Sequence, residues 1–310
     1  MSAAIEARGV ERRYGSLVAV EDLSFSAANG EILGVLGPNG AGKTTAIRVL
    51  TTILEPTRGE FQVAGAPHTR PAEIRARIGV LPESAGYPEQ QTGEEYLRYH
   101  ARLYGQSRAG AGEVARSLLE EVGLGGRRGS LISTYSRGMR QRLGIARALV
   151  NQPRVVFLDE PTLGLDPAGQ RQVLGMVRRI ADERGATVLL STHLLAEVEE
   201  TCSRVLILNR GWVVAEGTVG EVARRAAAPR SGRIRVPPEG AEAALVALAS
   251  VDGVEAAVDG RPGSLTVTLT DTESMNAAVR AVADAGITLL SSELEGARLS
   301  DAFLAMTEAG

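Results

Sequence analysis

Lysine is almost missing from this 310-residue chain: 33 of its 34 Lys and Arg residues are arginine, and the single lysine is Lys43. A bias toward arginine that spares one position marks a place needing a compact ammonium on a flexible stem rather than a wide planar fork. Cysteine is equally scarce. The lone Cys202 excludes an internal disulfide and suits a reducing compartment. Long apolar runs are absent too: residues 155–158 and 187–190 are strand-length, whereas a membrane-spanning helix needs about 18 to 20 apolar residues. The chain is therefore expected not to cross a bilayer by itself. The N-terminus lacks a basic patch followed by an apolar run, so no secretory signal is expected. Excess positive charge is also lacking. A net charge of -3 and a pI near 5.8 give no global case for a nucleic-acid partner, and local arginine clusters read as solvated faces.

What is present is enough apolar residue, 44% of the chain, for one large and one smaller domain, each with its own core. Residues 5–27 alternate in a strand-like way around a turn at Tyr14-Gly15-Ser16, and residues 31–36 form a short apolar strand. A glycine-rich loop follows, then helical character over 44–54, stopped by Pro56. From about Glu83 to Val150 the pattern is helical, with helices expected at 94–103, 112–122 and 137–150. Strand signals return at 154–158, 187–191 and 204–208, the alternation of a mainly parallel sheet wrapped by helices. Residues 226–232 read as a linker. Beyond it come a strand (234–236), a helix (241–249), strands at 254–258 and 264–269, a helix (274–285) and a strand (287–290). That βαββαβ order points to a ferredoxin-like α+β domain over 233–310, closed by a short helix at 299–307.

The chemistry starts at Gly37, Pro38, Asn39, Gly40, Ala41, Gly42, Lys43, Thr44 and Thr45. Gly-x4-Gly-Lys-Thr between a strand and a helix turns backbone N–H groups inward and sets a helix N-terminus behind them, an anion site for phosphates. Lys43 is expected to reach the β- and γ-phosphates of ATP, and Thr44 to ligate Mg²⁺. Farther on, an apolar strand ends in two adjacent carboxylates. Asp159 is expected to hold Mg²⁺, directly or through water, and Glu160 to orient and polarise the attacking water.

With those residues in place, the sequence resembles the ATP-binding cassette family. Ser136-Arg137-Gly138-Met139 stands before the carboxylate strand, where that family carries its signature. Gly164-Leu165-Asp166 stands where it carries the D-loop, and Ser191-Thr192-His193 where it carries the switch histidine. The resemblance covers most of residues 5–222 and implies an α/β P-loop NTPase core with an antiparallel β subdomain and an inserted helical subdomain at about 84–150, the whole spanning 1–225. It implies ATP hydrolysis, a second ATP-binding subunit (a homodimer or a heterodimer), and two nucleotides at the interface. Ser136 and the Gly138 backbone would then bind a γ-phosphate in trans, His193 would contact it in cis, and Asp166 would help couple the sites. Alone, a histidine at a strand end is more often a hydrogen-bonded core residue. Tyr14 lies where the family stacks adenine, the favoured reading, with a plain turn tyrosine as the alternative.

Two departures matter. Tyr135, Arg137 and Met139 replace the usual signature residues; Arg137 either brings charge near the nucleotide or points to solvent, and solvent is the favoured reading. At Leu81-Pro82-Glu83 the family commonly has a glutamine that senses Mg²⁺ and water. Glu83 can still ligate the metal but cannot donate an amide hydrogen bond, and Gln90 and Gln91 are weaker substitutes. These variants, with the tail at 298–304, resemble daunorubicin-resistance exporter ATPases that carry a C-terminal extension. That extension is either a dimer-stabilising or regulatory module or an inert packing domain. The resulting expectation is an exporter motor, peripheral on the cytoplasmic face of the membrane, driving a separate transmembrane permease for drug, lipid or natural-product efflux. Alternatives are a soluble cassette ATPase working on nucleic acid or ribosomes, and an importer motor. The coupling surface is expected around residues 83–99.

Overall fold

Short apolar strands that recur between amphipathic helices need their two faces covered, and the computed structural model meets that need with three sheets. It describes residues 3–225, 230–269, 272–295 and 299–308. The chain divides into two units, Met1–Val219 and Gly220–Gly310.

The first unit opens with β1 (Ile5–Tyr14), β2 (Leu17–Ala27), β3 (Ile32–Leu36), α1 (Lys43–Leu50), β4 (Arg58–Val63), β5 (Ala66–Pro67), α2 (Pro71–Arg77) and β6 (Ile78–Leu81). The helical segment supplies α3 (Gly93–Leu103), α4 (Arg108–Glu121) and α5 (Arg137–Ala148). Then come β7 (Val155–Asp159), α6 (Pro167–Arg184), β8 (Thr187–Thr192), α7 (Leu195–Thr201), β9 (Arg204–Asn209) and β10 (Trp212–Thr218).

β1, β2, β4 and β5 make an antiparallel sheet in the order β2-β1-β4-β5. The main sheet runs β10-β9-β3-β8-β7-β6, parallel except for β10 at its edge. Every residue of β3, β7 and β8 is buried, as expected of parallel strands covered on both faces. On one side Leu33 and Phe157 meet Ile47 of α1 and Ile5, Val10 and Leu23 of the antiparallel sheet. On the other, Ile32, Leu158 and Leu190 meet Leu143, Val177 and the helical segment's Leu97 and Leu119. Each fully buried side chain of this size contributes about 1.5–3 kcal/mol. Because β3, β7 and β8 run parallel, their C-terminal ends deliver three loops to one edge of the sheet.

This is the α/β core, antiparallel subdomain and helical subdomain that the sequence implies, with local corrections. The first helix stops at Leu50, not at 54, because the chain folds back: Ile53 and Leu54 both donate to the Arg48 carbonyl. α4 begins at Arg108, four residues earlier than expected, capped by the Ser107 hydroxyl accepting from the Gly110 N–H. Gly110 and Gly112 dilute the helical pattern there. The substitutions beside the signature have packing reasons. Tyr135 is buried and its hydroxyl donates to the Arg127 carbonyl at 2.8 Å, while Met139 packs on the helical core.

After α8 (Val219–Arg225), which begins on the last residue of the first unit, the second unit contains β11 (Arg230–Arg235), α9 (Ala241–Ala249), β12 (Val254–Val258), β13 (Ser264–Leu269), α10 (Thr272–Asp284), β14 (Ser291–Glu295) and α11 (Leu299–Glu308). Its sheet is antiparallel throughout, in the order β12-β13-β11-β14 that a βαββαβ chain makes when each helix crosses one strand. Ile234, Leu248, Leu265, Val267 and Val282 fill its core. The last strand lies at 291–295 rather than 287–290. Ile287 and Leu289 pack on the core without pairing, and the ladder starts only where Ser291 meets Arg235. Of the expected linker 226–232, residues 226–229 lie outside the described residues and 230–232 already belong to β11. Residue 298 of the tail also lies outside them. Among the described residues no helix is long and apolar enough to cross a membrane.

Candidate functional site

β3 is apolar and ends at Leu36, so the chain leaves the sheet into the glycine loop and re-enters order at Lys43, the first residue of α1. Gly42 caps that helix with φ +101° and no side-chain bond, and a Cβ there would lie 2.4 Å from the Ala19 carbonyl oxygen. Only glycine fits, and the first N–H groups of α1 stay free for an anion. Lys43 is buried at 6% exposure; its Nζ donates to the carbonyls of Gly37 at 2.7 Å and Pro38 at 3.3 Å.

The carboxylates arrive from β7. Asp159 Oδ1 accepts from the Ser191 hydroxyl at 2.5 Å and from the Thr44 hydroxyl at 3.2 Å, which gathers the ends of β7, β8 and the glycine loop on one oxygen. Glu160 is buried with φ +48°, a conformation that a non-glycine residue holds only when its surroundings enforce it. The Glu160 N–H donates to both the carbonyl and the hydroxyl oxygen of Ser191, each at 3.1 Å, and so fixes the turn. The side chain then spans two partners: Lys43 Nζ lies 3.3 Å from Oε1, and His193 Nδ1 lies 2.8 Å from Oε2. Behind His193, Thr192 Oγ1 donates to Glu197 Oε2 at 2.7 Å and accepts from the Leu194 N–H at 3.0 Å.

These groups border a cavity of about 720 Å³, the size of a small-molecule cofactor site. Residues 39–45 line it, as do Leu17, Val18 and Ala19, and Glu83, Glu160 and His193. Lys43, Thr44, Thr45, Glu83, Glu160 and His193 are thus brought together, with Asp159 bonded beneath Thr44. Gly37 and Pro38 serve through their carbonyls. The donor set of Thr44 hydroxyl, Asp159 and Glu83 consists of hard oxygens, and among the described residues no cluster of three His, Cys, Asp or Glu forms a metal cage. That chemistry fits Mg²⁺, which is held by one or two carboxylates together with substrate phosphates.

Four candidates stand apart. Tyr14 is outside the lining, half exposed, with the Arg12 guanidinium carbon 4.9 Å from its ring centroid. Ser136, Gly138 and Asp166 do not line the cavity either. Ser136 caps α5 by accepting from the Met139 N–H at 3.2 Å, and Asp166 caps α6 by accepting from the Gly169 N–H at 3.1 Å. Arg137 is exposed but does not simply point to solvent: a Cβ on Gly164 would lie 2.4 Å from its Cζ, so its guanidinium rests over the D-loop glycine. Gln90 and Gln91 are absent from the lining, which leaves Glu83 alone at that position. Sequence reasoning passed over Leu17–Ala19, Leu163 and Arg210, all of which line the cavity.

The ABC transporter family model matches residues 20–163. A daunorubicin resistance ATP-binding protein of Streptomyces coeruleorubidus is 38% identical over 306 residues, 98% of this chain and 96% of its own length. Among solved structures, an ATP-binding subunit of an ABC transporter is 34% identical, with a TM-score of 0.64 over 72% of this chain and 92% of its own. A dimeric ATP-binding cassette bound to ADP and phosphate, 23% identical, shares the fold with a TM-score of 0.63 over 69% and 98%. A cavity floored by the glycine loop, a carboxylate pair at a strand end and full-length similarity agree: the chain belongs to the ABC transporter family, as an ATP-binding subunit that hydrolyses ATP to drive transport.

Proposed function

We propose that this chain is the motor of an exporter, working as a head-to-tail pair on the cytoplasmic face of the membrane beneath a separate transmembrane permease. The observation that carries the pairing is that the cavity is half a site. Lys43, Glu160 and His193 line it, whereas Ser136, Gly138 and Asp166 do not. A second copy turned head to tail would bring its Ser136 and Gly138 to the γ-phosphate, and Asp166 would link the two cavities. The dimeric cassette that shares the fold supports this reading. The relative named for daunorubicin resistance supports export, and drug, lipid or natural-product efflux is the proposed class. Which cargo moves is decided by the permease.

Within the site, Lys43 holds the β- and γ-phosphates, trading its Gly37 and Pro38 carbonyls for them. Thr44, Asp159 and Glu83 are the residues that would hold Mg²⁺, and the ion would supply positive charge to offset the phosphates. Glu160 orients the attacking water and takes its proton, and His193 contacts the γ-phosphate while its ring steadies Glu160.

A complementation experiment tests the pairing. Lys43→Ala and Gly138→Asp are each expected to abolish hydrolysis. The second is tolerated within its own chain, since a Cβ at Gly138 meets only Leu165 at 3.8 Å, but it sets a carboxylate against the partner's phosphate. Mixed in equal amounts, the two dead variants should regain activity, because one of the two composite sites in a mixed dimer is intact. A mixture as dead as its components would overturn the composite site.

A further inference from the structure

The β9–β10 hairpin closes through a two-residue loop, Arg210-Gly211, between the paired residues Asn209 and Trp212. Both loop residues have positive φ, +49° at Arg210 and +89° at Gly211. Such turns favour Asn, Asp or Gly at the first position, and arginine there is strained. The turn is fastened to the site: the Gly211 N–H donates to the Ala41 carbonyl at 3.0 Å, and the Gly211 carbonyl accepts from the Glu21 N–H at 2.8 Å. Ala41 belongs to the glycine loop, so the Arg210 backbone is held against the phosphate cradle.

Arg210 lines the same cavity as Lys43, and among the described residues its side chain has no hydrogen bond or ion pair. Other arginines in the chain do have such partners, for example Arg204 with Glu31 and Arg147 with the Val80 carbonyl. Arg210 is exposed, and its permanently charged fork borders the cavity from a strained turn with no partner from the chain itself. Guanidinium and phosphate are matched in charge and geometry.

The sheet order says which part of the ligand. β9 flanks β3 on one side, and β8 followed by β7 flanks it on the other. Glu160 and His193 follow β7 and β8, so the hydrolytic groups lie on that flank. Arg210 follows β9, on the flank away from them, where Leu17, Val18 and Ala19 complete the lining.

We propose that Arg210 is a second cation for the nucleotide, engaging the phosphate nearest the ribose, and that it contributes equally to ATP and ADP. The inference rests on reading the cavity as the nucleotide site. A residue with this role binds ground state and transition state alike, so it sets KM and leaves kcat unchanged.

The test is calorimetric titration of the full chain with ADP, with a non-hydrolysable ATP analogue and with adenosine, using wild type, R210G, R210K and, as a control, Lys43→Ala. R210G suits the left-handed turn, so its Tm should equal or exceed that of wild type. It should bind both nucleotides about fivefold more weakly, as expected for one partly solvated ion pair, and adenosine unchanged. R210K should recover most of that loss, and the ATPase KM of R210G should rise with kcat held. R210G binding both nucleotides as wild type does would overturn the proposal, and a loss confined to the ATP analogue would overturn its placement away from the γ-phosphate. If wild type binds neither nucleotide while remaining folded, the cavity reading itself falls, an outcome distinct from failure at Arg210 alone.

Discussion

The two oxygens of Glu160 are divided between two partners, with Lys43 Nζ 3.3 Å from Oε1 and His193 Nδ1 2.8 Å from Oε2. The same carboxylate therefore balances the buried ammonium and holds the His193 ring. Exchanging it for an amide keeps the shape and removes both the charge and the capacity to take a proton. Glu160→Gln should lower ATP turnover by about 100-fold or more, the usual share of a general base. An ATP-bound dimer should accumulate on gel filtration, because binding survives while hydrolysis does not. Turnover near the wild-type rate would remove Glu160 from the role given to it.

Gly164 is the second place where side chain and backbone meet tightly. Its φ is +70°, and the Arg137 guanidinium occupies the space a Cβ would take. Gly164→Ala should destabilise the chain by about 1 kcal/mol from the backbone term alone. The Arg137 side chain can swing away, so adding Arg137→Gly should restore little of that loss. A double variant as stable as wild type in urea unfolding would show instead that the clash with Arg137 dominates.

The candidate site is legible in the sequence because each member follows a recognisable strand: Lys43 and Thr44 after β3, Asp159 and Glu160 at the end of β7, His193 after β8. Their convergence needs only parallel strands. Arg210 is illegible for a different reason. It is one arginine among 33, and it reaches the cavity only because β9 lies beside β3, a fact of sheet order rather than of local pattern. Three of the missed strands share a physical cause. β4 is mostly exposed at its start, and β5 and β6 have two and four residues, too few for alternation to declare itself. β14 is hidden because apolar side chains dominate residues 287–290 while pairing falls to the mostly polar residues 291–295. Hydrophobicity reports packing, and register reports hydrogen bonding; at that strand the two part company.

Tyr87 ties the segment after Glu83 to α5. Its hydroxyl donates to the Arg140 carbonyl at 2.8 Å and sits where a Cβ on Gly144 would lie only 2.6 Å away. Burial is the main cause pushing its pKa up to about 12. The neutral form is the one the fold accommodates, so the contribution is complete below the ordinary tyrosine value near 10 and is lost as pH climbs from there through about 12. Tyr87→Phe should cost about 1 kcal/mol at pH 7 for the lost hydrogen bond. It should also flatten the decline in stability above pH 10, measured as urea midpoints across pH. An unchanged alkaline slope would assign that decline to other groups.

Cys202 offers the last check, on packing behind the site. It follows α7, whose Val198 packs beneath β3, and a Cβ on Gly34 would approach its Sγ to 3.0 Å. Burial, followed by the nearby Glu197 carboxylate, pushes its thiol pKa up to about 12. The thiolate is the reactive species, so at pH 8 the native chain should resist iodoacetamide while urea-unfolded chain reacts at the rate of a free cysteine. Gly34→Ala forces either Sγ or Val198 to yield, which loosens the seat of α7 directly after the His193 loop. That variant should react faster than wild type while still folded. Rapid alkylation of the native wild-type chain at pH 8 would mean that α7 opens readily, and that the histidine loop is held by the Thr192–Glu197 bond rather than by the packing beneath it.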